Sequence, residues 1–159
     1  MSVKPIPDGF HSVTPYLVLR RAAQAIEFYQ QAFGAVETFR LSGPDGLVAH
    51  AEIKIGQSNI MLADEMPGME FHGPETLGGS SISLLIYVPN VDASCDRAVK
   101  AGAIVKRPVA DQFYGDRSCT LVDPFGHVWC FATHIEDVSP EEMQKRMAAM
   151  MEQMSEHAG

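Results

Sequence analysis

The sequence has no apolar run approaching the ~20 residues that a membrane-spanning helix needs, and its start, MSVKPIPDGF, lacks the apolar centre of a secretion signal. Positive charge is scarce: 12 Lys and Arg stand against 20 Asp and Glu, a formal net charge of −8. That balance argues against nucleic acid and anionic membranes as partners and mildly favours cationic ligands. Cysteine is sparse as well. Cys95, Cys119 and Cys130 are an odd number with no C-x-x-C pair, which reads as reduced thiols in a cytoplasmic protein. What is present is globular: 46% of the 159 residues are hydrophobic and 20% charged, enough for one domain with a real core or for two small modules sharing one.

Residues 111–134, DQFYGDRSCTLVDPFGHVWCFATH, read as a β-hairpin. Its arms are Arg117–Val122 and His127–Thr133. Pro124 presets φ and Gly126 accepts positive φ, so the chain reverses at Asp123-Pro124-Phe125-Gly126. A weaker version occupies residues 43–64, with Gly56 in the place of Gly126, and the pair predicts an internal repeat. The first copy, module one over 12–64, reads as strand Val13–Leu19, helix Ala22–Phe33 stopped by Gly34, and strands Ala35–Leu41, Leu47–Ile55 and Asn59–Ala63. Residues 65–80 hold four Gly and two Pro without periodicity and read as a linker or lid. Module two, 81–134, repeats the order: strand Ile82–Val88, helix Val91–Ala101 capped by Asn90 or Asp92 and stopped by Gly102, a strand within Ile104–Phe113 interrupted by Pro108, then the hairpin. The fold class expected is α+β, with residues 1–138 as one domain of two βαβββ modules. A C-terminal helix over 139–159 opens on the capping box Ser139-Pro140-Glu141-Glu142. It carries a stripe of Met143, Met147, Met150 and Met154, expected to dock on its own domain or a twin subunit.

Two β-α-β-β-β modules carrying Leu77-Gly78-Gly79, Tyr114-Gly115-Asp116-Arg117, Asp123–Trp129 and Ala132-Thr133-His134 resemble the vicinal oxygen chelate superfamily, in its glyoxalase/bleomycin-resistance-like branch, over residues 10–136. The resemblance implies that each module rolls its strands into half a cup as a mixed sheet, and that modules pair within a chain or across a two-fold axis. It also implies a divalent metal held by His, Gln or Glu from the first and last strands of each module. Those positions fall here at Thr14, at Met61 or Ala63, at Ser81 or Ser83, and at Cys130. None is an imidazole or a carboxylate, so the glyoxalase-type centre is expected to be missing and no cofactor is predicted.

Other candidates sit in the expected cup. His50 and Glu52 share one face of the third strand, opposite Ala51, Ile53 and Ile55. They can bind a ligand, serve as acid and base, or give two donors to a displaced divalent metal; a hydrogen-bonded pair without catalytic role fits equally well. Phe39 and Tyr114 can line the cup. Arg117 can anchor an anion, though an ion pair with Asp116, Asp123 or a helix end is the simpler expectation. Cys130 has no sequence-adjacent base and reads as an inert thiol. His127 is expected to point away from the cup as a turn or surface residue. His134 belongs to the motif without an evident role. Three functions follow: a metal-free binding module for a small organic molecule, of the drug-sequestering kind; a lyase or isomerase using His50 and Glu52; and an assembly protein with a vestigial pocket. A homodimer is expected, with no nucleic-acid or membrane partner.

Overall fold

The computed structural model describes residues 3–156; the first residues of the N-terminal arm and the end of the expected C-terminal helix lie outside the described residues. The chain runs β1 (Tyr16–Leu19), α1 (Ala22–Phe33), β2 (Val36–Ser42), β3 (Val48–Ile55), β4 (Ser58–Asp64), α2 (Pro74–Leu77), β5 (Ser83–Tyr87), α3 (Val91–Ala101), β6 (Ile104–Asp111), β7 (Asp116–Val122), β8 (Val128–His134) and α4 (Pro140–Glu156). The strands form two four-stranded mixed sheets of identical topology, β1-β4-β3-β2 and β5-β8-β7-β6. In each, the first strand pairs parallel with the last and the other pairings are antiparallel. The expected α+β architecture of two βαβββ modules with a C-terminal helix is what the chain adopts.

The two modules share their core. Helices α1 and α3 pack together, and Arg97 of α3 donates to the carbonyl oxygens of Gln31 and Gln30 near the end of α1. Between the helices and the sheets lies one continuous apolar cluster. Phe33 of α1 stacks against Tyr29 and meets Trp129 and Phe131 of β8 with ring centroids 4.6 and 5.4 Å apart, so the first helix packs on the second sheet. Strand residues alternate: Leu17, Leu19, Ala51, Ile53, Leu62, Cys119, Leu121, Trp129 and Phe131 face this core. The opposite face of each sheet is the inner wall of a half-cup.

Equivalent contacts fix both helix starts. Asp64, at the end of β4, accepts from the Ala22 backbone N–H, as Thr133 Oγ1 of β8 accepts from that of Val91. These caps align the modules, setting Met61 against Cys130, three residues upstream of each. Both hairpin glycines take positive φ, 56° at Gly56 and 91° at Gly126, as the turns require. A Cβ on Gly126 would also sit 2.7 Å from Pro74 Cβ, so the turn packs beneath α2.

Four details differ from the sequence expectation. β1 begins at Tyr16, not Val13, because Val13 is open to solvent and Pro15 has no N–H to give a ladder; Thr14 therefore precedes the strand. The 65–80 linker contains a single helical turn, α2, started by Pro74 at its first turn and closed by Gly78 at φ 81°. β6 continues through Pro108, which an edge strand tolerates, with the irregularity absorbed as a register shift between Arg107 and Ala110. No residue of α4 is buried: of the Met stripe only Met143 is half-buried, while Met147, Met150 and Met154 are exposed rather than docked on their own domain, and the helix is held by Arg146, bridged to Glu136 and donating to the Phe113 carbonyl oxygen.

Candidate functional site

One row of side chains crosses the half-cup of module one. Register places Phe39 of β2 opposite Glu52 of β3, Glu52 opposite Met61 of β4, and Met61 opposite Tyr16 of β1. One step along β3, His50 lies within reach of this row. The Tyr16 hydroxyl is 2.8 Å from His50 Nδ1, and His50 Nε2 is 3.4 Å from Glu52 Oε1, the outer limit of a hydrogen bond. A carboxylate only accepts, so Nε2 carries the proton toward Glu52, and Nδ1 is left to accept from the Tyr16 O–H. The rings of Tyr16 and Phe39 flank the imidazole at 5.5 and 6.0 Å between centroids. Burial holds the Tyr16 hydroxyl above its ordinary pKa, so at rest it is a hydroxyl and not a phenolate.

Beside this chain of groups lies a cavity of about 460 Å³. Tyr16, Val18, Ala49 and Ala63 form its sheet side, while Met66, Met69 and Phe71 reach it from the 65–72 segment. That segment is strapped down at one point. Glu65 accepts from Thr76 Oγ1 at 2.7 Å and from Arg20 Nε at 3.4 Å, and meets His72 Nδ1 at 2.8 Å. The Thr76 hydroxyl first, then His72 and Arg20, hold its carboxyl below the ordinary range. Gly73 finishes the strap, where a Cβ would lie 2.8 Å from Leu19 Cα. Asp64 borders the cavity, but its oxygens accept from the Ala22 and Val48 backbone N–H groups at 2.8 and 2.7 Å, so its charge serves the backbone.

The half-cup of module two carries a different row: Arg107, Thr120, Cys130 and Leu85. Cys130 is half-buried, with Sγ 3.5 Å from Thr120 Oγ1. At the end of this sheet the Tyr87 hydroxyl donates to Asp116 Oδ2 at 2.9 Å, Asp116 Oδ1 meets His134 Nδ1 at 2.8 Å, and His134 Nε2 meets Asp137 at 2.9 Å. Both ring nitrogens of His134 are thus engaged, and its pKa is raised by Asp137 first and Asp116 second. A second cleft of about 510 Å³ opens between the modules, where Thr14 lies against Leu85, Tyr87 and Trp129.

The candidate residues therefore scatter. The structure brings Phe39, His50, Glu52 and Met61 together. Thr14 sits in the inter-module cleft, and Ser83 and Cys130 lie on the other half-cup. Tyr114 occupies the β6–β7 turn with its ring edge-on to Phe113. Arg117 is not on a cup face. Its guanidinium holds Asp92, in the first turn of α3, and Asp111, which is the ion pair at a helix end and leaves no free anion site. His127 points away from the cup as expected but is no surface residue: it is buried, with Nε2 3.1 Å from the Val18 carbonyl oxygen. Burial, with Cys95 beside it, pushes the Cys119 thiol up to about 12, away from reactivity.

Sequence reasoning passed over Tyr16. Its signal was the alternation of β1, which sets Tyr16 and Val18 against the buried Leu17 and Leu19. The metal positions fail chemically: Thr14, Met61 or Ala63, Ser81 or Ser83 and Cys130 offer hydroxyls, a thioether and a thiol. Among the described residues no three His, Cys, Asp or Glu side chains are placed to hold a metal ion. His50 and Glu52 supply two donors that already face one another, so the residues present do not fit a glyoxalase-type centre.

Among the described residues, no helix is long and apolar enough to cross a membrane. Comparison with known proteins agrees with the architecture. An uncharacterised Mycobacterium tuberculosis protein is 40% identical over 141 residues, covering 87% of this chain and 83% of that one. The crystal structure of an Arabidopsis thaliana gene product superposes with a TM-score of 0.64 at 27% identity, over 77% of this chain and 98% of that one. TioX from Micromonospora shares the fold, with a TM-score of 0.59 at 23% identity over 78% and 100% of the two chains. The sequence pattern of the Glyoxalase/Bleomycin resistance protein/Dioxygenase superfamily matches residues 9–131, and the chain belongs to that superfamily.

Proposed function

We propose that this protein binds a small organic molecule in the half-cup of module one, without the divalent metal centre of the family's metalloenzymes. The observation that carries the reading is the strapped cavity of about 460 Å³, within the size range of small-molecule sites, walled by apolar side chains and bordered by the Tyr16–His50–Glu52 chain. A lyase or isomerase activity using His50 and Glu52 is the second reading. It draws support from the two contacts of the imidazole, with Tyr16 as a proton source at Nδ1 and Glu52 as an orienting carboxylate at Nε2.

The protein is further proposed to work in the cytoplasm as a homodimer. Tyr16, Phe39 and Leu41 on one half-cup and Leu85 and Tyr87 on the other are 49–63% exposed, and α4 adds Met147, Met150, Met151 and Met154. Apolar faces of this extent call for a cover, and a two-fold pair is the commonest one. Native mass spectrometry of protein purified from its own host tests these statements together. The expected species is a dimer carrying an organic adduct and no stoichiometric metal. About one retained zinc, nickel or iron ion per chain would overturn the metal-free reading, since centres of that kind hold their ion through purification. Light scattering that finds the full chain monomeric at tens of micromolar rejects the dimer, and a chain ending at Val138 that remains dimeric assigns the contact to the sheets.

A further inference from the structure

Resting on the proposed binding site in module one, we infer that its ligand is an uncharged, largely apolar molecule bearing one acidic hydroxyl, and that Tyr16 takes that proton through a relay to His50. Three observations lead here. The cavity walls are Val18, Ala49, Ala63, Met66, Met69 and Phe71, none of which is charged, and Asp64 beside them is engaged by two backbone N–H groups. A cationic ligand, which the overall charge favours, would find no free counter-charge inside this cavity. Among the cavity residues, Tyr16 is the side chain that belongs both to the wall and to the hydrogen-bonded chain beyond it. With its O–H turned to His50 Nδ1, the phenolic oxygen presents lone pairs to the cavity, so it accepts a hydrogen bond from a ligand donor.

The proton movement balances without a co-reactant. The ligand O–H bond breaks and its proton joins the Tyr16 oxygen, while the Tyr16 proton passes to His50 Nδ1. The ligand is left as an oxyanion accepting from the re-formed Tyr16 O–H. The imidazolium that results keeps its Nε2–H directed at Glu52, a contact of 3.4 Å in the resting site of the kind that tightens when charge develops. No electron is transferred. Return of the proton to the same oxygen is binding; return to a carbon of an enol is isomerisation. Tyr16 touches the ligand, whereas His50 and Glu52 act through it as positioning residues.

Matched probe pairs test this in the full-length protein: 4-nitrophenol with 4-nitroanisole, and 2-naphthol with 2-methoxynaphthalene. Binding is read by ligand-observed NMR and phenolate formation by absorption. The expected result is about tenfold tighter binding of the hydroxyl member, with the bound phenol absorbing as its anion below its solution pKa. Tyr16→Phe should abolish both the preference and the anion band, and His50→Gln the band. Hydroxyl and ether probes bound equally, a preference that survives Tyr16→Phe, or tighter hydroxyl binding without the anion band would each overturn the relay and leave the binding site standing. Failure of every probe to bind would overturn both.

Discussion

The two modules carry nearly the same polar kit on their inner faces, a tyrosine, a histidine and a carboxylate, and use it in opposite ways. In module one, Tyr16 of the edge strand β1 joins His50 and Glu52 of the inner strand β3 beside a cavity that Tyr16 also lines. In module two, Tyr87, Asp116 and His134 sit at the sheet's end, and His134 has given its second nitrogen to Asp137 at the root of the tail. The residue types do not separate a site from a brace. The closeness of the links does: the module-two chain closes at 2.8–2.9 Å throughout, whereas the His50–Glu52 link of module one stands open at 3.4 Å, where a ligand can still draw it together. Under the proposed function, module two is the frame and module one the working face, a division that duplication followed by divergence of one inner row, Phe39-Glu52-Met61-Tyr16 against Arg107-Thr120-Cys130-Leu85, would produce.

The largest effect should come from the frame. Asp123 is 3% exposed, and its carboxylate accepts from Tyr29 Oη at 2.6 Å, Trp129 Nε1 at 2.9 Å, and the backbone N–H groups of Phe125 and His127. Burial and this carboxylate together push the Tyr29 hydroxyl well above its ordinary pKa. Asp123→Ala strands several buried donors at once and is expected to cost about 4 kcal/mol or more. Because Tyr29 belongs to module one, both modules should unfold in a single urea transition. Two separated transitions would break the idea of one frame supporting both halves.

Next comes Gly115. It stands at φ 99°, and a Cβ there would collide with the Glu136 carbonyl oxygen. Its own carbonyl accepts from the N–H groups of Ile135 and Glu136, so the turn and the tail root are stitched together. Gly115→Ala should cost about 2–3 kcal/mol by thermal unfolding, with ligand binding on module one unaltered. Loss of ligand binding with unaltered stability would move the working face to module two.

These two positions also show what the sequence could and could not tell. The DPFG turn, the helix stops at Gly34 and Gly102, and the repeat were readable because each depends on a few neighbouring residues. Asp123 looked like a turn former; that it anchors Tyr29, 94 positions away, depends on the docking of α1 against the second sheet. Likewise His50 and Glu52 were legible as a pair from the period of one strand. Tyr16, 34 residues from His50, joins them only through the β1-β4-β3 order. For Arg117 the sequence left Asp116, Asp123 or a helix end open as ion-pair partners, because the helix that supplies Asp92 lies 25 residues upstream and only the fold brings it near.

A smaller effect is expected from His134 and pH. Its folded-state pKa is raised above the unfolded value, so the protonated ring stabilises the native state. That contribution is fully present below about pH 6.5, the unfolded value, and is lost as pH rises through the raised folded value. The melting temperature of the wild type should therefore fall slightly across that window, and that of His134→Ala should change less. Parallel curves would show that the clamp of Asp116 and Asp137 contributes nothing to the frame.

The smallest effect on stability belongs to the working face. His50 is half-buried, its Nδ1 partner Tyr16 is 50% exposed, and water can replace either bond, so His50→Ala should shift stability by less than about 1 kcal/mol. A structural histidine behaves otherwise: removing it leaves a partner buried and unpaired, at a cost of about 1–3 kcal/mol. Ligand affinity should respond in the opposite sense, with the wild-type preference for a hydroxyl-bearing probe disappearing in the variant. The pairing of the two readouts is what sharpens the contrast between modules. Asp123→Ala should lose stability far in excess of any change that belongs to the ligand alone, and His50→Ala should lose ligand discrimination at nearly wild-type stability. A His50→Ala protein that melts several degrees lower yet still discriminates the probes would make module one a second brace and leave the cavity without its chemistry.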